Sequence, residues 1–183
     1  MPYISLEYRP KYADVIQETV STIVNANVQR TTKAEYFGYF VHMLVNRYVQ
    51  FVEITQPMNS YQFPAPVRTK LQELGTKAAT LIGSGEPMEV SGHLNYVVTS
   101  VLWGLLAIPE MSSYGVRAFL SGSIYNILQD MTKMSLPIDT KDRIMAYRRY
   151  VSVQGVLNDV LNETYRRRTS VYEDKKILEN GDI

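Results

Sequence analysis

The sequence contains no cysteine and only two histidines among its 183 residues. Without cysteine there are no disulfides, no thiol nucleophile and no thiolate metal ligands, a composition that suits a reducing compartment. His42 and His93 have no histidine partner at i, i+4 and no cysteine, so no metal site is expected from them. An excess of charge is also missing. The 19 Lys and Arg against 18 Asp and Glu leave a net charge of +1, which argues against a general nucleic-acid binder. The longest apolar run, Tyr96 to Ile108, is broken by Thr99, Ser100 and Gly104 and is too short and polar to span a bilayer. The opening Met1-Pro-Tyr-Ile-Ser-Leu-Glu7 has no charged n-region and no apolar h-region, so no signal peptide is expected. Gly83-Ser-Gly-Glu-Pro87 is not a phosphate loop, and Ser121-Gly-Ser123 is not a nucleophile elbow. No segment alternates with period two.

What remains is helical periodicity and tyrosine, of which there are 14. Val15, Ile16, Val20, Ile23, Val24 and Val28 form a stripe that predicts a first helix over 11–29. Thr32-Lys-Ala-Glu35 has the capping-box form and would open a second helix running to Ile54. That helix carries Tyr36, Phe37, Tyr39, Phe40, Tyr48 and Phe51, so burial on more than one face is expected, with Gln56-Pro57 ending it. Residues 55–65 read as a surface loop. A third helix follows over 66–82 with Val67, Leu71, Leu74, Ala78 and Leu81 on one face. Ser91 would cap a fourth over 92–107, ended by Pro109. A fifth covers 113–134, before Pro137, and Asp139 would cap a sixth over 140–168 with a bend near Tyr147–Tyr150. The expected fold is a single all-α domain over 1–183, a compact bundle of about six helices with an extended, docked C-terminal tail at 169–183. Matching apolar patterns, Phe37–Val45 with Leu94–Leu102 and Val116–Leu120 with Val153–Leu157, suggest a weak internal duplication.

Chemistry-bearing constellations are sparse. Asp159 and Glu163 are a carboxylate pair expected to share a helix face, which supplies half a magnesium site at best. The basic set is richer. From Lys141 to Arg168 seven cations face three anions. Arg148-Arg149 and Arg166–Arg168 are separated by five helical turns, about 27 Å, so one straight helix cannot bring both to a small ligand. Arginine forks suit phosphate, and Tyr147, Tyr150, Tyr165 and Tyr172 could stack on a base. The competing expectation is that Glu173, Asp174 and Glu179 pair with these arginines and dock the tail, with Tyr172 and Ile177 buried and a turn at Asn180-Gly181.

Met1-Pro-Tyr-Ile4, Arg9-Pro10, Leu94-Asn95-Tyr96, Tyr165-Arg166-Arg167 and Tyr172-Glu-Asp-Lys-Lys-Ile followed by Glu-Asn-Gly-Asp182 together resemble a family of small tailed-phage proteins. The resemblance implies a phage origin and hence a host bacterial cytoplasm, and it brings no activity with it. Members of that family are shorter, so residues 31–90 and 110–137 look like an expansion. The expected function is therefore a non-catalytic binding protein that sequesters a small anionic host molecule, such as a nucleotide-type immune signal, without cofactor or metal. Candidate ligand-binding residues are Asn95, Tyr96, Arg148, Arg149, Tyr150, Arg166, Arg167, Tyr172, Lys175 and Lys176. The aromatic surplus points to a homo-oligomer. Two alternatives stand beside this reading: an interaction or virion-associated protein that binds another protein through its aromatic surface, and a magnesium-dependent nucleotide-processing enzyme built on Asp159 and Glu163.

Overall fold

The computed structural model describes residues 4–49, 63–83, 87–132 and 140–180, and all regular structure among them is helical. Seven α-helices follow in order: α1 (Pro10–Val24), α2 (Arg30–Val49), α3 (Ala65–Ile82), α4 (Pro87–Leu106), α5 (Tyr114–Met131), α6 (Thr140–Thr164) and α7 (Ser170–Asn180). The all-α bundle expected from periodicity is what forms.

Helix α2 is the centre. It buries Tyr36, Phe37, Phe40, Val41, Leu44, Val45 and Tyr48 on several faces and packs mainly against α3 and α5. Two glycines let it do so. A Cβ at Gly38 would lie 2.8 Å from Ser123 Cβ on α5, and one at Gly75 would lie 2.8 Å from Met43 Cβ and 3.0 Å from the Leu44 amide. At the first of these contacts Ser123 Oγ donates to the Ala34 carbonyl at 3.0 Å, tying α5 to α2 with a buried hydrogen bond. The core extends from Tyr12, Val15 and Ile23 of α1 through Leu94, Val98 and Leu105 of α4 to Val153, Leu157 and Val160 of α6.

Several helix ends differ from the sequence expectation. Helix α1 stops at Val24, five residues early, because the Lys33 ammonium donates to the freed Val24 carbonyl at 2.6 Å and to Glu110 at 2.8 Å. Helix α2 opens at Arg30, so Thr32 lies inside it and the capping box does not mark its start; the Lys33 amide already bonds the Gln29 carbonyl. Helix α4 opens at Pro87, which suits a first helical turn because its missing N–H needs no partner there, and Ser91 is interior. That helix ends at Leu106, and Pro109 begins a separate 3₁₀ turn. Ser113 caps α5 through the Val116 amide. Phe63, expected in a surface loop, is buried edge-on against Tyr36 and Tyr39. The expected ends at Pro57 and Pro137, the Asp139 cap and the turn at Asn180-Gly181 lie outside the described residues.

The C-terminal region departs most. Helix α6 is continuous α-helix through Tyr147–Tyr150, and the irregularity in hydrogen bonding comes later, as a π-helical turn over Tyr165–Thr169. The tail then continues as α7 instead of an extended strap. Its Lys, Glu and Leu residues favour helix, and Lys175 and Lys176 both pair with Glu179 at i, i+4 and i, i+3. Most of α7 is exposed, Leu178 to 87%.

Candidate functional site

The π-turn sets up the most developed surface feature. In such a turn the Ser170 amide reaches back five residues to the Tyr165 carbonyl, one residue beyond its ordinary helical partner. Within this turn the Arg168 carbonyl accepts from the Arg117 guanidinium of α5 at 2.6 Å. That bond holds Arg117 over two rings at once, 5.8 Å from the centroid of Tyr114 and 5.7 Å from that of Tyr172, and the two rings stack at 5.2 Å. Arg117 Nε is buried without a hydrogen-bond partner. Across from it, the Tyr165 hydroxyl donates to Glu173 at 2.8 Å, and that bond raises the Tyr165 pKa. Tyr114, Arg117, Tyr165 and Glu173, with Ala118, Ser121, Leu161, Asn162 and Thr169, line a half-open groove of about 400 Å³ between the start of α5, the end of α6 and the start of α7, with Tyr172 stacked behind Tyr114.

Of the candidate ligand-binding residues, only Tyr172 belongs to this cluster, beside Tyr165 and Glu173, which the sequence singled out for stacking and for tail docking. The arginines disperse. Arg149 is buried against α2, 3.4 Å from the Tyr48 carbonyl and over the Tyr48 ring, while Arg148 stays exposed on the far part of α6. Arg166 and Arg167 both engage Glu163, whose carboxyl is held below its usual value first by the Arg166 hydrogen bond. Arg167 and Arg168 also lie over the Trp103 ring. Tyr150 packs on the core and accepts from Gln154. Lys175 and Lys176 are committed to Glu179. Docking of the tail by Glu173 and Asp174 onto arginines is replaced by the Glu173–Tyr165 bond, and Ile177 remains 43% exposed. Asp159 is exposed and Glu163 is the arginine partner, so this pair does not converge on an ion, and no group of three or more His, Asp and Glu does so among the described residues.

Asn95 and Tyr96 fall elsewhere, at the packing of α1 on α4. Asn95 is buried and accepts from Thr99, and Tyr96 lies beneath Arg9 at 5.7 Å and beside Tyr12. The Tyr12 hydroxyl, pushed up to about 12 by burial, sits 3.0 Å from His93 Nδ1. Arg9-Pro10 and Leu94-Asn95-Tyr96, which carry the phage-family resemblance, are thus neighbours in space, as parts of a packed seam. Tyr114, Arg117, Ser121 and Asn162 were not anticipated. The sequence signal for the first two was Tyr-x-x-Arg immediately after Ser113, a spacing that stacks the pair on one helix face.

Among the described residues no helix is long and apolar enough to cross a membrane. Residues 122–183, from the middle of α5 through α7, match the model of a family described as a domain of unknown function (DUF6899). No curated protein and no solved structure matches the chain.

Proposed function

We propose that this protein is a non-catalytic binding protein whose groove between α5, α6 and α7 captures a small anionic molecule bearing a planar ring, of the nucleotide class. One observation carries the reading: Arg117, fixed by the Arg168 carbonyl, caps a stacked tyrosine pair at the edge of a groove whose size falls within the usual range for small-ligand sites, about 300–1,000 Å³. Tyrosine faces accept a base, Arg117 supplies the positive charge, and Glu173, Asn162 and Ser121 offer hydrogen-bond partners for sugar or ring edges. On the phage-family resemblance, the setting we propose for it is the host bacterial cytoplasm, where it would sequester a nucleotide-type defence signal.

Calorimetric titration with adenosine 5′-monophosphate, adenosine and a cyclic dinucleotide tests this. Binding of at least one phosphorylated probe, weakened at least about tenfold by Arg117→Ala and by Tyr172→Ala, with the probe recovered intact, supports the reading. Absence of binding by all three at millimolar concentration sinks it, and magnesium-dependent turnover lost in Asp159→Ala would hand the case to an enzyme. The exposed Phe119, Tyr125, Ile144 and Tyr147 favour a second reading, an interaction protein that binds through its aromatic surface.

A further inference from the structure

Helices α5 and α6 pack against each other, and the start of α5 and the end of α6 line the same groove. Their outer faces share an unusual property. No charged residue occurs from Ala118 to Gln129 on α5 or from Tyr150 to Asn158 on α6, in a chain that is 20% charged. Solvated surfaces ordinarily carry roughly 25–35% charged side chains. What these faces present instead is Tyr125 at 57% exposure, Tyr147 at 56% and Val151 at 47%, with Ala118 and Asn158 between. Gly122 and Gly155 interrupt the same faces. A Cβ at either would touch nothing within 4 Å, whereas at Gly38, Gly75 and Gly104 it would meet a neighbour at 2.8 Å. An interior helix glycine costs about 0.5–1 kcal/mol relative to alanine, and within one copy these two return nothing. A second backbone approaching closely would give them a use. Depletion of charge with retention of tyrosine is also the composition of an interface centre.

We propose that this α5–α6 face is the interface between two copies of the chain, with α6 crossing its counterpart antiparallel near Gly155. Two arguments select a second copy over another partner. Arg148 and Asp159 bracket the uncharged stretch of α6, are both exposed, and lie eleven residues apart, three turns, on the same side of the helix. A two-fold axis through the middle of that stretch sets each copy's Arg148 opposite the other's Asp159, so the face is self-complementary in charge as an isologous contact requires. The area also suffices. An 18-residue α5 is about 27 Å long, and two helices side by side are about 18 Å across, giving roughly 500 Å² of projected surface before side-chain relief, near the ~800 Å² of accessible area that each partner contributes to a standard interface.

Sedimentation and crosslinking of the full chain test this independently of any ligand. The wild type should sediment at twice 20.9 kDa at micromolar concentration, and Val151→Glu or Tyr125→Glu should weaken the dimer at least about tenfold. Because the chain has no cysteine, a lone Gly155→Cys or Val151→Cys reports contact across the two-fold directly. Oxidation should yield a covalent dimer in these variants, and none in Lys77→Cys on α3. A wild type that stays at 20.9 kDa up to about 100 µM overturns the proposal, as does a dimer that neither charge substitution weakens and neither α6 cysteine crosslinks.

Discussion

His42 sits in the middle of α2 with its ring almost fully buried and Nδ1 without a hydrogen-bond partner. Burial holds its pKa below the ordinary imidazole value, against a smaller opposing pull from Asp130. The unfolded chain binds a proton as pH falls through about 6.5, while the folded ring resists until lower pH. The stability His42 contributes is therefore complete above the ordinary value and is lost as pH falls toward the depressed one. His93, depressed by burial and by Lys11, acts with the same sign. Urea midpoints of the wild type should fall between about pH 7.5 and about pH 5.5, and His42→Leu should flatten that fall without abolishing it, the remainder belonging to His93. An unchanged slope in His42→Leu would mean that the ring already titrates normally in the fold. That both histidines fall within helices was legible from periodicity. That one is enclosed by α2's neighbours and the other bonds Tyr12 of α1 was not, because both depend on residues distant in sequence.

At the scale of elements, helix existence was legible and helix ends were not. Periodic apolar positions reveal a buried face, and Val15, Leu71, Leu74 and Ala78 all lie where the stripes put them. Ends are set by whatever satisfies the last carbonyls and first amides. For α1 that group is Lys33, nine residues beyond Val24 and on another helix. The glycines divide the same way. Gly75 and Gly104 look alike in sequence, yet a Cβ at Gly75 meets the α2 backbone at the Leu44 amide and the Phe40 carbonyl, and one at Gly104 meets only side-chain atoms of Val20. Backbone cannot yield as a side chain can. Gly75→Ala should therefore cost about 1–3 kcal/mol, as overpacking does, and Gly104→Ala clearly less. Denaturation midpoints of the two variants decide it; equal losses would show that α3 moves off α2 as easily as Val20 rearranges.

For the molecule as a whole, the core closes before the π-turn. Thr164 is the last buried residue among those described, and nothing from Tyr165 to Glu179 is buried. Helix α7 adds the Tyr114–Tyr172 stack and the seat of Arg117. An aromatic pair contributes about 0.5–1.5 kcal/mol, which for a domain of this size corresponds to a few degrees. Deleting residues 170–183 should accordingly lower the melting temperature by no more than about 5 °C while removing one wall of the groove. A larger fall, or loss of a single cooperative transition by scanning calorimetry, would show that α7 belongs to the folding unit.

Sequence alone was enough to establish the all-α class, the central aromatic helix and the separation of the two arginine clusters, because periodicity and rise per residue are properties of the local chain. Only the tertiary structure decided where each arginine is seated and what the tail becomes. Arg117 acquired its place from a carbonyl 51 residues away, within the π-turn at Tyr165–Thr169. The tail is helical because it needs no docking, having its own i, i+4 pairs and a long helix to continue. Charge clusters announce themselves along the chain, but pairing is decided by what folding brings near, and here Glu163 and Tyr48 claimed the arginines that sequence had offered to a ligand.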